Sequence, residues 1–441
     1  MFYFCQRLKK NNIMCIKRFC FLLLLIWCGL FTSITAQNEI NSPYSSFGVG
    51  NLSPRTNTVL GAMGGVGYAL QNPYYINFKN PASYVAFDSL SFIADLAFSV
   101  VNQQLRTALQ RQKGTYAQLD YIAIGLPVLK VWRTSVGIMP YSDIGYNILD
   151  ARKSDVFGDI NYRYQGVGGI QLLYWGNAFK VYKGLSIGLN LSYLFGTINT
   201  LNFAEYSLEN SFNTLISNYR YLDGIYISGG AQYHTTIKEK HHLGIGVVYE
   251  NSIKVWSREN LLVLDYVNTY TPNTYFDTVK AVTGKNALKS TTKMPQIIGA
   301  GVSYGYKDRL TTAFDFSWQN WKNFSMSNIK DTLNNNIVAA FGVQYVPNPG
   351  SSKYYNKINF RVGAKISTGY MKINNKPVSE FAVSAGLGFP IRTFSFRSSA
   401  NIMFEYSRLG TLKSNLILQN YFKLSFNFIL QERWYQRRKL E

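Results

Sequence analysis

The sequence predicts an all-β protein: a 14-stranded antiparallel transmembrane β-barrel with an N-terminal hatch segment in its lumen. Three observations lead to this fold, namely a period-two alternation from about residue 89 to residue 430, an export signal before it, and a non-alternating segment between the two. Successive residues of a strand point to opposite faces, so alternation of apolar and polar residues gives a lipid-facing wall and a polar interior. No stretch after the signal approaches the length of a membrane helix, and only a closed barrel then satisfies every backbone group in lipid.

Residues 1–36 are predicted to be a secretory signal peptide that is cleaved from the mature chain. Two basic residues precede an apolar run over residues 19–31, and a small-residue site follows it, so cleavage is expected before Gln37. The apolar run is too short for a membrane-spanning helix, which needs roughly 20 residues. The sequence leaves open whether Met1 or Met14 is the true start.

All four cysteines lie inside this signal segment, so the mature chain is expected to contain none. That excludes a disulfide scaffold and a cysteine nucleophile. Cys28 leaves a lipoprotein as an alternative, but the bulky Trp27 directly before it disfavours lipidation.

The mature chain is strongly basic. The signal segment holds 5 of the 45 Lys and Arg residues, which leaves 40 against 23 Asp and Glu and a net charge of +17. These basic residues are scattered through turns and loops without a helical or zinc-finger context, so nucleic acid is not an expected partner. Outer-membrane lipid and lipopolysaccharide, with their anionic headgroups, are the expected neighbours.

Residues 37–88 form the predicted hatch. They do not alternate, and they are rich in Gly, Pro and Asn. The glycines of "GAMGGVGYAL" (61–70) allow close backbone approach and unusual torsions. A phosphate-binding loop is excluded, because no strand precedes these glycines and no Lys-Ser/Thr follows them. A 14-stranded barrel is too wide for wall side chains to fill, so this segment is expected to plug it.

Residues 89–430 are predicted to form the barrel. In its clearest strand, from Leu185 to Phe195, every second residue is large and apolar. The fourteen strands are expected near 89–104, 115–127, 131–147, 159–175, 184–199, 219–234, 241–256, 295–306, 309–320, 336–346, 356–369, 377–389, 392–406 and 415–430. Residues 259–267 could form a fifteenth strand, but we interpret them as a hairpin within a long loop.

The connections between these strands are expected to alternate in length. Those after even-numbered strands run from about four to about twelve residues, and those after odd-numbered strands from about nine to nearly forty. Outer-membrane barrels have short periplasmic turns and longer extracellular loops. The pattern therefore places both termini in the periplasm, including a tail over residues 431–441, and the longest loop, near 257–294, outside the cell.

The N-terminal part of the chain resembles the FadL-type family of hydrophobic-compound (long-chain fatty acid) transporters, including its Bacteroidetes branch. The residues that carry the resemblance are Gly64, Gly65, Asn77, Asn80, Pro81 and Ala82, followed by a first strand capped at Asp88. In that family the segment folds into a hatch inside a 14-stranded barrel, and the Asn-Pro-Ala element lies where the hatch meets the wall. The resemblance implies that these six residues form the hatch or gate; the motif support ends near residue 92.

The resemblance also implies a function. It predicts a monomeric outer-membrane channel, gated by its hatch, for passive uptake of hydrophobic small molecules such as long-chain fatty acids. The same barrel also serves in Bacteroidetes as a non-transport component of the type IX protein secretion machinery. The alternative is therefore a membrane anchor that binds a secretion-system protein partner.

No catalytic constellation appears in the sequence. The three histidines, His234, His241 and His242, surround one predicted periplasmic turn, whereas a hydrolase in a barrel needs its histidine near the outer boundary of the membrane. The adjacent histidines also lack a carboxylate at metal-ligand spacing. A solvated basic turn is the preferred interpretation, with no enzyme activity, no cofactor and no metal site expected.

Basic side chains on the predicted lumen face are the candidate ligand contacts. The carboxylate of a fatty acid can pair with such a side chain. The candidates for this headgroup contact are Arg163 on strand 4, Arg361 and Lys365 on strand 11, and Arg397 on strand 13. The alternative is that the arginines of strands 11 and 13 pair with Glu380 and Glu405 inside the wall.

Two structural features separate the two functions. Transport predicts an apolar pocket in contact with the hatch, together with a gap or kink in the barrel wall. A secretion role predicts a sealed wall and exposed apolar residues in the longest loop, for which Tyr270, Tyr275 and Phe276 are candidates.

Overall fold

The structure is a computed structural model. It describes residues 41–155, 158–208, 211–267, 271, 274–326, 329–330, 333–373, 376–393 and 396–433. The predicted signal peptide (1–36), the first residues of the predicted hatch and most of the predicted tail (434–441) lie outside the described residues, as does Tyr270.

Fourteen antiparallel strands form a closed barrel, which confirms the predicted fold. Each strand pairs with its neighbour along the chain, and the last strand pairs with the first from Ser91↔Arg433 to Arg106↔Leu418. The strands are β1 Ser91–Arg106, β2 Arg111–Pro127, β3 Trp132–Ser154, β4 Gly158–Tyr182, β5 Leu185–Tyr206, β6 Asn213–Ile237, β7 His241–Glu250, β8 Gln296–Tyr306, β9 Leu310–Asn320, β10 Asn336–Tyr345, β11 Asn359–Ser367, β12 Glu380–Thr393, β13 Phe396–Leu409 and β14 Leu418–Arg433.

The two faces of the wall differ as the alternation predicts. On β5, Ile187, Leu189 and Leu191 are exposed on the outer face, whereas Asn190 and Ser192 are buried on the lumen side. An apolar outer face suits lipid, and a polar inner face suits a lumen. Among the described residues, no helix is long and apolar enough to cross a membrane.

Several strands continue well past the length that crosses a bilayer. Strands β3 to β6 contain 23, 25, 22 and 25 residues, whereas about 9–11 tilted residues suffice. We call the end reached by connections after odd-numbered strands the long-hairpin end, and the opposite end the short-turn end. At the long-hairpin end, many residues that were predicted to form loops belong to strands, which continue as β-hairpins past the bilayer.

The predicted alternation in connection length therefore holds only in part, because some connections after odd-numbered strands are short turns at the tips of these hairpins. The β1–β2 connection, for example, is the turn 107–110 and not a loop of about ten residues. Backbone pairing continues beyond the bilayer, where the outward face no longer has to be apolar. The period-two signal fades there although the strand does not end.

The predicted long loop near 257–294 is also largely strand. Lys254–Tyr266 follows β7 and pairs with residues 213–223 of β6. Asp277–Val282 and Leu288–Lys293 then pair with Lys254–Tyr266, one after the other. Residues 259–266 therefore belong to one continuous strand that extends the wall, and the interpretation of residues 259–267 as a hairpin within a loop is wrong.

Residues 41–90 lie inside the barrel, and we call them the hatch. They hydrogen-bond to lumen-facing side chains on opposite sides of the wall. Gln431 on β14 donates to the carbonyl of Pro73 over 3.3 Å, and Ser303 on β8 donates to the carbonyl of Ala69 over 2.8 Å. The segment therefore spans the bore from one side to the other.

Short capped elements shape the hatch. They are the 3₁₀ helices Pro43–Ser46 and Pro81–Ala86, the strand Asn51–Leu52 and the helical turn Thr58–Gly61. The side chain of Asn57 caps the helical turn by accepting from the backbone N–H of Leu60, and that of Asn80 accepts from Ala82 in the same way. Asparagine at these positions satisfies backbone donors that a short helix leaves unpaired.

The remaining elements are short and lie in connections. They are the 3₁₀ helices Gly284–Asn286, Trp321–Asn323, Tyr354–Lys357 and Lys413–Asn415, and the strands Ser325–Met326, Ile329–Lys330, Lys372–Ile373 and Lys376–Pro377.

Cysteine labelling tests which end faces the outside. Leu109 is 95% exposed in the β1–β2 turn at the long-hairpin end, and Ser352 is exposed in the β10–β11 connection at the short-turn end. With both termini in the periplasm, Leu109→Cys reacts with a membrane-impermeant maleimide on intact cells, and Ser352→Cys reacts only after the outer membrane is permeabilised. The opposite pattern would place the termini outside the cell.

Candidate functional site: the hatch, the lumen cavity and the wall gap

A buried ion pair and two backbone hydrogen bonds anchor the glycine-rich turn of the hatch. Asp315 on β9 accepts from the backbone N–H groups of Gly67 (2.7 Å) and Tyr68 (3.1 Å), and from the Lys79 ammonium (3.0 Å). Burial alone would lower the pKa of Lys79, but the Asp315 carboxylate and Tyr68 outweigh it and the pKa is raised. The lysine therefore stays charged and paired in the lumen.

Gly64 and Gly65 adopt positive φ angles of 74° and 82°. A Cβ on Gly64 would lie 2.7–2.8 Å from backbone atoms of Ala364 and Phe341 in the wall. The Gly64 N–H also donates to the Ser384 hydroxyl over 3.0 Å. Only glycine combines this torsion with this close contact to a strand.

The Asn-Pro-Ala element packs directly on the wall. Asn80 donates to the Tyr68 carbonyl over 2.7 Å, so it ties two parts of the hatch together. A Cβ on Gly230 of β6 would lie 2.1 Å from the Asn80 Oδ1, and one on Gly188 of β5 would lie 2.4 Å from the Ala82 nitrogen. The turn can therefore pack this closely only because Gly188 and Gly230 of the wall have no side chain.

Two further hatch contacts come from Asn77 and Arg55. The Asn77 amide donates to the carbonyls of Gly67 (2.7 Å) and Leu70 (2.9 Å), which closes the glycine-rich turn from within. Arg55 forms a second ion pair to the wall, 2.8 Å from Glu250 on β7. Burial alone would lower the pKa of Arg55, but Glu250 reverses the effect and raises it.

A cavity of about 360 Å³ lies beside the hatch, and residues of all fourteen strands line it. Its apolar lining includes Tyr116, Met139, Leu172 and Tyr174. Eight charged side chains also line it: Arg55, Lys79, Asp143, Glu250, Lys365, Glu380, Glu405 and Lys423. The cavity contacts the hatch as expected, and its lining combines apolar side chains with charged ones.

Two inward-folded connections cover the cavity at the long-hairpin end. Trp321 stacks on Tyr370 with ring centroids 4.6 Å apart, and Tyr370 donates to the carbonyl of the hatch residue Gly50 over 2.8 Å. We call this cover the lid; its buried residues are Trp321, Phe324, Leu333, Tyr370, Met371 and Val378.

The barrel wall is interrupted between β2 and β3. Their pairing runs only from Ile122↔Ile138 to Pro127↔Arg133. Beyond it, residues 111–121 of β2 pair with β1 alone, and β3 continues to residue 154 against β4. We call the unpaired stretch the wall gap.

The sequence of β3 explains where the gap begins. Pro140 stands two residues past the last β2–β3 pair and has no N–H to donate to a neighbouring strand. The β3–β4 register also shifts between Pro140 and Ser142, which is a bulge that bends the strand. The hatch strand Asn51–Leu52 takes up the edge of β3 that β2 leaves, by pairing with Asp143 and Ser142.

The wall gap reaches the cavity. Tyr116 and Gln118 from the unpaired part of β2, and Met139, Tyr141 and Asp143 from the unpaired part of β3, all line the cavity. A molecule in the cavity therefore lies next to the interruption in the wall.

The structure does not assemble the four predicted headgroup contacts into one site. Lys365 lines the cavity but pairs with Glu380 at 2.7 Å. Arg361 is buried and donates to Gln344 (2.8 Å) and Asn401 (2.9 Å), not to the predicted glutamates. The side chain of Arg397 lies outside the described residues.

The prediction that Arg163 faces the lumen is wrong. Even-numbered β4 residues such as Tyr174 face the lumen, and the β4–β5 register stays regular, so Arg163 lies on the outer face of the extended hairpins. There it pairs with Glu205 at 3.2 Å and lies over the Phe203 ring. The wrong face was chosen because the polar-inward rule ends where the strand leaves the bilayer.

The histidines stand near the turn where the sequence predicts them, but His234 is not solvated. Its Nε2 is buried and has no hydrogen-bond partner among the described residues. His241 bonds to the Tyr304 hydroxyl at 2.9 Å, and His242 lies 3.7 Å from Asp308. In the described part of the chain, no three His, Cys, Asp or Glu side chains are placed to hold a metal ion.

Sequence analysis missed three parts of the site: Arg55, the Lys79–Asp315 pair and the gap at Pro140. Arg55 and Lys79 belong to the hatch, and the sequence alone does not show which wall residues they contact. Asp315 was visible as a polar residue of an alternating strand, and a proline inside the third predicted strand was the available sign of an interruption.

The closed 14-stranded barrel is similar in fold to several solved structures. Similar solved structures are the toluene transporter TbuX of Ralstonia pickettii (13% identity, 86% of this chain and 98% of that one, TM-score 0.54), a FadL homologue of Pseudomonas aeruginosa (10%, 87% and 100%, 0.55) and the toluene transporter TodX of Pseudomonas putida (13%, 87% and 99%, 0.54). At such identities the likeness establishes the shared fold, which confirms the resemblance to the FadL type at that level.

The chain belongs to the BamG family, whose model matches residues 15–441. A search of curated proteins finds no significant match.

Proposed function

We propose that this protein is an outer-membrane channel for passive uptake of small hydrophobic or amphiphilic molecules. The observation that carries the proposal is the wall gap, because it meets a cavity that the lid covers at one end and the hatch closes at the other. A protein that serves only as a membrane anchor would have a sealed wall. Over residues 111–154 the wall is instead interrupted, because β2 and β3 pair along only part of their length. The shared fold with toluene transporters adds support.

The geometry suggests a path with three steps. A ligand dissolved in the membrane enters sideways between β2 and β3, so it need not cross the charged headgroup layer. It then rests against the aromatic and aliphatic lining, where each buried CH₂ contributes about 0.8 kcal/mol. It leaves toward the short-turn end when the hatch shifts.

The hatch residues supply the closed state in this proposal. Gly64 and Gly65 fit the turn to the wall, Asn77 holds the turn together, and Asn80 with Pro81 and Ala82 seats it on β5 and β6. Asp315 fixes the same turn from β9. In this proposal the channel opens when the hatch moves away from the wall, and contacts with ligand or water then replace these hydrogen bonds.

A bulky adduct in the wall gap tests the path. Gln118 points into the cavity from the unpaired part of β2, and its neighbour Leu119 points to the lipid. The mature chain is expected to lack cysteine, so Gln118→Cys can be labelled selectively with a bulky maleimide. Uptake of a hydrophobic dye by vesicles or cells carrying the labelled protein should fall at least tenfold.

Leu119→Cys with the same label is the matched control, since its adduct lies in the bilayer. Uptake that falls equally in both variants, or in neither, would contradict lateral access through the gap.

The alternative function, binding of a partner protein, has one observation in its favour. Tyr275 is 87% exposed, and Val279 in the neighbouring strand Asp277–Val282 is 60% exposed. Phe276 does not contribute, because it packs on Tyr266 with ring centroids 5.6 Å apart. Native mass spectrometry of the purified protein separates the two functions: a stoichiometric protein partner without bound lipid or small molecule would favour the alternative.

A further inference from the structure

We propose that the lumen cavity holds a single-chain amphiphile whose polar end is a protonated amine, and that it disfavours a carboxylate. This inference rests on the proposed function, because it names the ligand class of the same cavity. It replaces the expectation of a fatty-acid headgroup bound by a basic side chain.

Every basic side chain that lines the cavity already has an acidic partner. The pairs are Arg55–Glu250 (2.8 Å), Lys79–Asp315 (3.0 Å), Lys365–Glu380 (2.7 Å) and Lys423–Asp120 (2.9 Å). A ligand carboxylate would have to break one of these pairs. Breaking a largely buried pair leaves one charge uncompensated, which is strongly unfavourable.

Two carboxylates of the cavity form no ion pair among the described residues, although the Lys423 ammonium that pairs with Asp120 also acts on both of them. The cavity lining and its ion-pair partners contain six acidic groups against four basic ones, so two remain, and they are Asp143 and Glu405. Among the described residues, the Asp143 carboxylate accepts a side-chain hydrogen bond from the Ser53 hydroxyl, over 2.9 Å. Glu405 forms no hydrogen bond or ion pair with any described residue, although its register partner on β14 is Lys423, which pairs with Asp120.

An unpaired hydroxyl accompanies Glu405. Ser407 stands two residues further along β13, on the same face of the strand, and lines the same cavity. It is 7% exposed and makes no hydrogen bond to the described residues. An ammonium group in the cavity, with three donors, can satisfy both the carboxylate and the hydroxyl.

The positions of the two acids suit a ligand that arrives from the membrane. Asp143 lies at the wall gap, so it meets the polar end of an incoming amphiphile first. Glu405 lies on β13, four strands from β3 around the wall. A volume of about 360 Å³ is near the lower end for ligand pockets, which span about 300–1,000 Å³, and therefore suits one alkyl chain better than a two-chain lipid.

Three probes with the same tail test the inference: dodecylamine, dodecanoate and dodecanol, each added to the purified protein and followed by native mass spectrometry. We expect dodecylamine to bind at least tenfold more tightly than dodecanoate, a difference of about 1.4 kcal/mol, because only the ammonium group gains charge-assisted hydrogen bonds to these carboxylates. Glu405→Gln should remove most of this preference and should change dodecanol binding much less than dodecylamine binding.

Asp143→Asn provides a second variant with the same expected direction, in case Glu405→Gln does not fold. Asp277→Asn is the matched control, because Asp277 is exposed on the extended hairpins and far from the lumen lining. Dodecanoate binding as tightly as dodecylamine, or an amine preference that survives both lumen substitutions, would overturn the inference and leave the channel proposal standing. Failure of all three probes to bind, together with an unblocked Gln118→Cys channel, would count against the channel itself.

Discussion

Replacing Asp315 with asparagine is expected to release the hatch from the wall. The substitution removes the charge that pairs with Lys79 and weakens two backbone hydrogen bonds to the glycine-rich turn. Loss of one partner from a buried ion pair costs about 3–5 kcal/mol. The carboxylate is almost fully buried, so solvent screens little of that cost.

The measurement is solvent access to the hatch. Ala69 is completely buried, so Ala69→Cys should react with a thiol reagent only when the hatch moves. We expect its labelling rate to rise about a hundredfold or more in the Asp315→Asn background, since each 1.4 kcal/mol is tenfold. Planar-bilayer recordings of the same variant should show open-channel events that are rare in the parent protein.

Asp265→Asn is the matched control for this change. Its carboxylate accepts from Thr214 on the extended hairpins and does not contact the hatch. Lys79→Met added to Asp315→Asn should recover part of the lost stability, because it removes the uncompensated ammonium. Unchanged labelling and conductance in Asp315→Asn would show that this pair does not hold the hatch.

Gly230→Val is expected to displace the Asn-Pro-Ala turn. An added Cβ would lie 2.1 Å from the Asn80 Oδ1 and 3.3 Å from the Pro81 ring, so the turn must move away from β6. Overpacking of this kind costs about 1–3 kcal/mol. Faster Ala69→Cys labelling and a lower unfolding temperature of the detergent-solubilised barrel are the expected results.

The neighbouring Gly229 supplies an unusually close control. A Cβ there meets nothing nearer than 3.9 Å, because this residue lies on the opposite face of the same strand. Gly229→Val should therefore be neutral or slightly stabilising, since valine favours strands. Asn80→Ala in the Gly230→Val background should relieve the clash; equal behaviour of the two glycine variants would contradict seating of the hatch on β6.

The fold was largely predictable because lipid imposes a simple rule on the wall. Each of the fourteen predicted strands overlaps an observed one, and the clearest, at 184–199, begins within one residue of its observed start. The errors concentrate where that rule stops. Strand β6 begins at residue 213 and not near 219, and Arg163 was assigned to the wrong face, because both positions lie in hairpins beyond the bilayer.

The lumen was far less predictable, because its chemistry depends on partners that are remote in sequence. Lys79 and Asp315 are separated by 236 residues, and only closure of the barrel brings them to 3.0 Å. The same holds for Lys423, which meets Asp120 across the seam. Residue type predicted polar side chains in the lumen, but not that every cavity-lining base would be neutralised.

The seam between β1 and β14 constrains the order of assembly. The hatch is synthesised before any strand, yet it bonds to Gln431 and Gln419 on the last one. The barrel can close only after β14 has been synthesised. The hatch must therefore lie against an open sheet first, and it becomes enclosed when β14 pairs with β1. Contacts this distant in sequence are slow to form, and a chain truncated before β14 would lack the strand that closes the barrel around its N-terminal segment.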